Sequence, residues 1–119
     1  AVVHLHSHYL TALSCLQNLD SQNCIRPFTP YVVMRVGDVP VVPYYKPGDA
    51  RLAEDLALLA PRYRAFLLAN HGPVVVGKSL QEAADNTEEL EETARLMFTL
   101  GDRAIRYLTA DEVAELRSR

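Results

Sequence analysis

The chain has 119 residues, of which 49% are hydrophobic, 8% aromatic and 23% charged, a composition typical of one soluble globular domain. Twelve Lys and Arg against fifteen Asp and Glu give a formal net charge of −3, which argues against a nucleic-acid-binding protein, since such domains are usually basic. No apolar stretch reaches the ~20 residues of a membrane span, and two cysteines make no disulfide framework, so we expect a cytoplasmic protein without a membrane partner.

The first half of the sequence predicts a strand, a helix and two further strands. Residues 1–4 begin with three apolar residues and are typical of a buried strand that runs into a His-x-His sequence at residues 4–6. Leucines recur at every third position within residues 7–19, which predicts a helix. The valine-rich residues 31–36 predict a strand. Residues 39–44 predict another strand at a sheet edge, because two prolines interrupt them and cannot donate hydrogen bonds to a neighbour.

The middle of the chain predicts a helix followed by two buried strands. Asp49 follows a Pro-Gly turn and is expected to cap a helix whose leucines line one face and which ends at Pro61. Residues 65–68 and 74–76 predict compact strands, and residues 70–73, with the sequence Asn-His-Gly-Pro, predict the tight loop between them.

Two capping sequences predict helices in the last third of the chain. Ser79 with Glu82 three residues later predicts a capping box at the start of a long helix that ends at Gly101. Thr109 with Glu112 predicts a second capping box and a short terminal helix. Because strands and helices are interleaved, we expect an α/β or α+β fold with a layered core.

Three of the four histidines lie where a metal site could form. His4 and His6 are two positions apart, so on a strand their rings point to the same side. His71 follows the end of a second predicted strand. It forms a polar pair with Asn70 between two apolar runs, and this pair would be costly to bury without hydrogen-bond partners. Alone, His71 is better explained as a loop residue with backbone hydrogen bonds, and many His-x-His pairs are only surface residues. Together they predict a three-histidine site for zinc or another divalent ion.

The other polar residues indicate less specific roles. Tyr31 carries a phenol that could act as an acid near the metal, or it packs in the core. His8 leaves the face shared by His4 and His6 once the chain turns helical, so we expect it to be exposed. Cys15 and Cys24 are expected to be small buried thiols. The acidic stretch of the long helix is expected on a solvated face: Glu88, Glu89, Glu91 and Glu92.

The motifs together resemble the class II aldolase/adducin family. The resemblance rests on Val-Val-His-x-His at residues 2–6, on Asn-His-Gly at residues 70–72, and on the Glu-rich residues 83–94. Residues 28–37 and 41–49 are most similar to the branch of 3-oxo-tetronate 4-phosphate decarboxylases. The chain is similar to the C-terminal half to two thirds of the family's domain, and it opens on a strand without an initiating Met. We therefore expect that an N-terminal part is missing.

The resemblance implies a fold, a metal site and a reaction. For residues 1–119 it implies a layered α/β/α domain with a mixed, largely antiparallel central sheet, in a homotetramer. It implies Zn²⁺, or another divalent metal, bound by His4, His6, His71 and an acidic residue upstream of the first motif. Tyr31 falls near the family's catalytic tyrosine. The implied substrate is a phosphorylated sugar acid, which loses CO₂ through an enediolate to give dihydroxyacetone phosphate while the metal stabilises the developing charge.

Three alternative functions remain open from the sequence. A class II sugar-phosphate aldolase of the fuculose or ribulose phosphate type would use the same enediolate and release an aldehyde. An adducin-like domain would keep the fold without chemistry, although retention of His4, His6 and His71 argues against it. A metal-binding module without turnover is the third.

Overall fold

One mixed four-stranded sheet organises the computed structural model, which describes residues 1–118. The elements are β1 Val2–His4, α1 His8–Ser14, α2 Pro30–Arg35, β2 Val41–Val42, α3 Ala50–Leu59, β3 Ala65–Leu68, β4 Gly72–Val76, α4 Leu80–Leu100 and α5 Ala110–Arg117. The strand order is β1-β4-β3-β2, antiparallel except for the parallel β2–β3 pair. Of the helices described, none has the length and apolar character needed to cross a bilayer.

Alternate side chains of β3 enter two hydrophobic cores on opposite faces of the sheet. Ala65 and Leu67 pack with buried residues of α1, α2 and α4. Phe66 and Leu68 pack on the other face against leucines of α3. This alternation follows from the two-residue period of a strand, and the full burial of all four side chains places the sheet between two helical layers. The predicted layered α/β/α fold with a mainly antiparallel sheet is confirmed.

Most predicted helix starts are present, with one difference in hydrogen bonding. The Asp49 carboxylate accepts a hydrogen bond from the Arg51 backbone amide at 2.9 Å and caps α3. Thr109 forms the complete capping box of α5. At α4, the Ser79 hydroxyl accepts from the Glu82 amide at 3.1 Å, but the Glu82 carboxylate accepts from the amide of Lys78 at 3.4 Å. The predicted reciprocal bond to the Ser79 amide is replaced by one to the residue before it.

The strand predicted for residues 31–36 is wrong, because this segment forms α2. Pro30 occupies the first turn of the helix, where its fixed φ is favourable and its missing N–H costs nothing. Val32, Val33 and Val36 are buried, and this spacing of one, three and four positions matches a single helical face. Burial of that face outweighs the preference of valine for strands, which suggested the wrong element.

The remaining differences concern element length, and one of them is β4, which begins at Gly72, two residues before the predicted start at residue 74. α1 ends at Ser14, well before the predicted limit of residue 19, and Asn18 adopts a left-handed φ of 62° that no helix accommodates. β2 is only two residues long, although it lies at the sheet edge as its prolines predict.

Candidate metal centre

The structure brings His4, His6 and His71 together at one end of the sheet. The antiparallel pairing of β1 with β4 places His4 opposite Val74, so the segment after β1 meets the loop before β4. The His71 Nε2 atom lies 3.3 Å from His4 Nε2 and 3.1 Å from His6 Nε2. One nitrogen of each ring lies within 4.8 Å of the others, and no carboxylate joins this group within residues 1–118.

The donor set fits a tetrahedral divalent ion such as zinc. Zinc–nitrogen bonds of about 2.0–2.1 Å separate two tetrahedral ligand atoms by about 3.3 Å, close to the two measured Nε2 separations. The Nδ1 atom of His4 lies 2.8 Å from the carbonyl oxygen of Pro73. Because a carbonyl only accepts, His4 carries its proton on Nδ1 and leaves the Nε2 lone pair directed at the other rings. Such a partner fixes the tautomer of a metal-binding histidine.

The surroundings of His71 favour its neutral form, which is the form that binds metals. Burial lowers the pKa of His71 below its ordinary 6.5, and positive charge on His4 and His6 lowers it further. The ring is half-buried, whereas the other two are exposed. At neutral pH, His71 therefore presents an uncharged imidazole to the group.

Ser14, at the end of α1, holds the loop that carries His71. Its hydroxyl accepts a hydrogen bond from the His71 amide at 3.1 Å, and its carbonyl accepts one from the Asn70 amide at 2.8 Å. The Ser14 side chain is only 3% exposed, and its hydroxyl donates to the Thr11 carbonyl at 2.6 Å. The role of Ser14 could not be predicted from the sequence, because a serine inside a helix gives no indication of a partner 57 positions away.

Gly72 allows the loop to approach the segment between the two other histidines. Its φ of 151° is a conformation that residues with a side chain rarely adopt. A Cβ atom at this position would lie 3.0 Å from the Leu5 carbonyl oxygen and 3.3 Å from the Thr11 hydroxyl oxygen. Leu5 lies between His4 and His6, so the absence of a side chain at Gly72 contributes to bringing the three rings together.

Glu91 corrects the expectation that the whole acidic stretch of α4 is solvated. Its carboxylate accepts hydrogen bonds from the backbone amides of Tyr9 and Leu10, each at 2.9 Å. Glu88 and Glu92 are exposed as expected, but Glu91 is half-buried against the start of α1, and Glu89 is half-buried beside Arg35. The sequence alone does not separate Glu91 from the exposed glutamates of α4, because its hydrogen-bond partners lie in α1, more than 80 positions away.

Tyr31 lies on the exposed side of α2, with 57% of its surface accessible. The guanidinium of Arg35 lies 5.9 Å from the centre of its ring. The α2 helix packs on α4 and α5, and no contact described for residues 1–118 joins Tyr31 to the three histidines. The alternative of a core aromatic residue is wrong, and the catalytic role stays a prediction.

The other weak candidates lie outside the histidine group. His8 is exposed as expected, and its ring packs edge-on against Tyr9. Cys24 is buried, and burial raises the pKa of its thiol to about 12. Cys15 is exposed, so the expectation of two buried thiols is wrong for this residue, which follows the last turn of α1.

Comparison with known proteins identifies close relatives. The chain is 78% identical over 116 residues to the 3-oxo-tetronate 4-phosphate decarboxylase of Pectobacterium atrosepticum, covering 98% of this chain and 53% of that protein. An L-fuculose phosphate aldolase of Methanococcus maripaludis is 36% identical over 102 residues, covering 86% of this chain and 53% of its own length. The chain thus spans about half the length of the curated relatives it matches.

Solved structures share the fold. The crystal structure of YgbL from Escherichia coli superposes with a TM-score of 0.97 at 76% identity, covering 98% of this chain and 56% of that one. An L-fuculose 1-phosphate aldolase gives a TM-score of 0.81 at 27% identity, with coverage of 97% and 52%. The class II aldolase and adducin N-terminal domain matches residues 1–98. The chain therefore belongs to the class II aldolase and adducin family.

Proposed function

We propose that this chain provides the metal ligands of a carbon–carbon lyase that converts a 3-oxo-tetronate 4-phosphate to dihydroxyacetone phosphate and CO₂. The observation that carries the proposal is the convergence of three Nε2 atoms, with separations of 3.1 and 3.3 Å from His71. The names of relatives that are 64% to 78% identical support the choice of a decarboxylase.

The reaction requires positive charge beside the ketone and a proton for the carbon that loses CO₂. When bound, a divalent cation, zinc in this proposal, supplies the charge that stabilises a developing enediolate. His4, His6 and His71 would hold it through neutral Nε2 atoms, and the Pro73 carbonyl keeps the His4 ring in the required tautomer. The electron pair of the broken carbon–carbon bond passes into the substrate's enediolate, which then takes up one proton at carbon.

We propose Tyr31 as the proton donor, acting through its phenol O–H at the site of a neighbouring subunit in a homotetramer. Its exposure of 57% on α2 supports a role across an interface. We assign no residue of this chain to the acidic ligand or to the grip on the substrate phosphate. We also propose that the substrate is a phosphorylated sugar acid and that the protein is cytoplasmic.

Metal analysis of the whole protein, purified without chelator or a metal-binding tag, tests the site directly. We expect about one zinc ion per chain. His71→Ala should lose both the metal and the release of CO₂ from a 3-oxo-tetronate 4-phosphate. His8→Ala is the matched control, since His8 is exposed and lies outside the ligand group. Full metal content and full turnover in His71→Ala would refute the site.

A sugar-phosphate aldolase is the second candidate, favoured by the 36% identity to an L-fuculose phosphate aldolase and by the shared fold. Both reactions pass through an enediolate, so the same metal site serves either one. Product analysis separates them, because a decarboxylase releases CO₂ from a sugar acid whereas an aldolase releases an aldehyde from a sugar phosphate. Bound metal without either product would favour a non-catalytic domain.

A further inference from the structure

The helix α1 connects the two segments that carry the candidate metal ligands. It begins at His8, two residues after His6, and ends at Ser14, which contacts the loop of His71. We infer that α1 fixes the separation of these segments, with Glu91 and Ser14 as positioning residues at its two ends. This inference rests on the proposed metal site.

At its N-terminus, α1 depends on a carboxylate from another helix. Ser7 occupies the N-cap position of α1 but makes no capping hydrogen bond, and its buried hydroxyl has no partner within residues 1–118. Glu91 instead accepts from the amides of Tyr9 and Leu10 at 2.9 Å each, which satisfies two of the free donors of the first turn. A negative charge is favourable at this end of a helix, and hydrogen bonds to a charged acceptor are stronger than neutral ones. Glu91 therefore fixes the helix three residues after His6.

At its C-terminus, α1 contacts the loop through one buried residue. Ser14 accepts from the amides of both Asn70 and His71, and it donates to the Thr11 carbonyl within its own helix. The serine hydroxyl is thereby fixed in orientation, with its proton directed back into α1. Loss of this hydroxyl would leave the His71 amide with its bond to the Leu68 carbonyl alone.

The contact of Glu91 with the start of α1 and the contact of Ser14 with the His71 loop both affect the distance between His6 and His71. The ring centres of His6 and His71 lie 5.0 Å apart, on segments that are 65 positions apart in sequence. A shift of either end of α1 changes this separation, and metal sites are sensitive to shifts well below 1 Å. Glu91 and Ser14 thus affect the candidate site without contacting the metal.

Binding of Co²⁺ alone to the whole protein tests the inference. The variants are Glu91→Gln and Ser14→Ala, and each has a matched control. Glu92→Gln removes an exposed charge from the same helix, and Ser7→Ala removes a hydroxyl, beside His6, that has no partner in the described part of the chain. We expect the Co²⁺ affinity to fall about tenfold in both test variants, the lower end of the effect for partners of metal ligands, and to stay unchanged in the controls. The visible absorption bands of bound Co²⁺ should shift in the test variants.

Thermal unfolding and NMR separate positioning from simple stabilisation. If Tm falls but the folded test variants bind Co²⁺ with wild-type affinity and spectrum, the inference is overturned. If the wild-type protein binds no Co²⁺, the proposed metal site fails, and nuclear Overhauser contacts between the ring protons of His6 and His71 then decide the question of positioning. Loss of these contacts in either test variant supports positioning by α1, and their retention in both refutes it. Glu91→Asp gives a second variant if Glu91→Gln does not fold.

Discussion

Replacing Gly72 with alanine should damage both the stability of the protein and the candidate metal centre. The added Cβ would lie 3.0 Å from the carbonyl oxygen of Leu5, a tighter contact than nine in ten Cβ atoms make, so one of the two must move. The obstructing atom is backbone, so it cannot rotate away as a flexible side chain could. We expect the start of β4 to move away from the segment that carries His4 and His6.

Two effects, backbone strain and a steric clash, combine to destabilise Gly72→Ala. An alanine held at a φ of 151° is strained by about 1–3 kcal/mol. Forcing the Cβ into a packed contact adds about 1–3 kcal/mol, so the free energy of unfolding should fall by about 2–6 kcal/mol. Gly48→Ala is the matched control, because Gly48 also has a positive φ of 87° but a Cβ added there would meet no atom within 4 Å. Gly48→Ala should therefore lose only the part of the stability that corresponds to backbone strain.

Denaturant unfolding and Co²⁺ titration of the two variants provide the measurement. We expect Gly72→Ala to lose more stability than Gly48→Ala and to bind Co²⁺ more weakly, while Gly48→Ala binds as the wild type does. Equal losses of stability with wild-type Co²⁺ affinity in both variants would refute the close approach of β4 to Leu5.

Two further predictions concern titratable groups. Since the pKa of His71 is lowered in the folded state, the unfolded chain takes up its proton first, so the metal-free protein should lose stability as the pH falls through the ordinary value of 6.5. Denaturant unfolding at several pH values should show a smaller loss in His71→Ala, and an identical loss would contradict the assignment. A thiol reagent at about pH 8 should modify Cys15 rapidly and Cys24 only after unfolding, because the Cys24 thiol is buried with a pKa of about 12. Equal rates for both thiols in the native protein would refute this.

The parts of the fold that depend on local sequence could be predicted. Capping side chains and turn residues act over three or four positions, so the starts of α3 and α5 are correct. The β3–β4 hairpin follows from two short apolar runs around a polar loop. The error at α2 has a physical cause, since the same valines suit a strand or one buried face of a helix. Only the packing against α4 and α5 decides between them.

The residues of the candidate site also fall into two groups, those that could be predicted from the sequence and those that could not. The three histidines could be grouped from the sequence, because His4 and His6 are two positions apart at the end of one predicted strand and His71 follows the end of another. Glu91 and Ser14 could not, because their partners lie 82 and 57 positions away. Neither residue type is unusual where it stands. Their roles depend on where α1 lies, which is a property of the tertiary structure alone.

The distance along the chain between the candidate ligands has a consequence for how the protein responds to its surroundings. His4 lies on β1 and His71 in the loop before β4, so the candidate site joins two strands of the sheet. An ion bound by His4 and His71 would form a reversible cross-link between residues 67 positions apart. Each tenfold rise in free metal above the dissociation constant would then stabilise the folded state by about 1.4 kcal/mol. Resistance of the folded state to proteolysis would thus report metal availability.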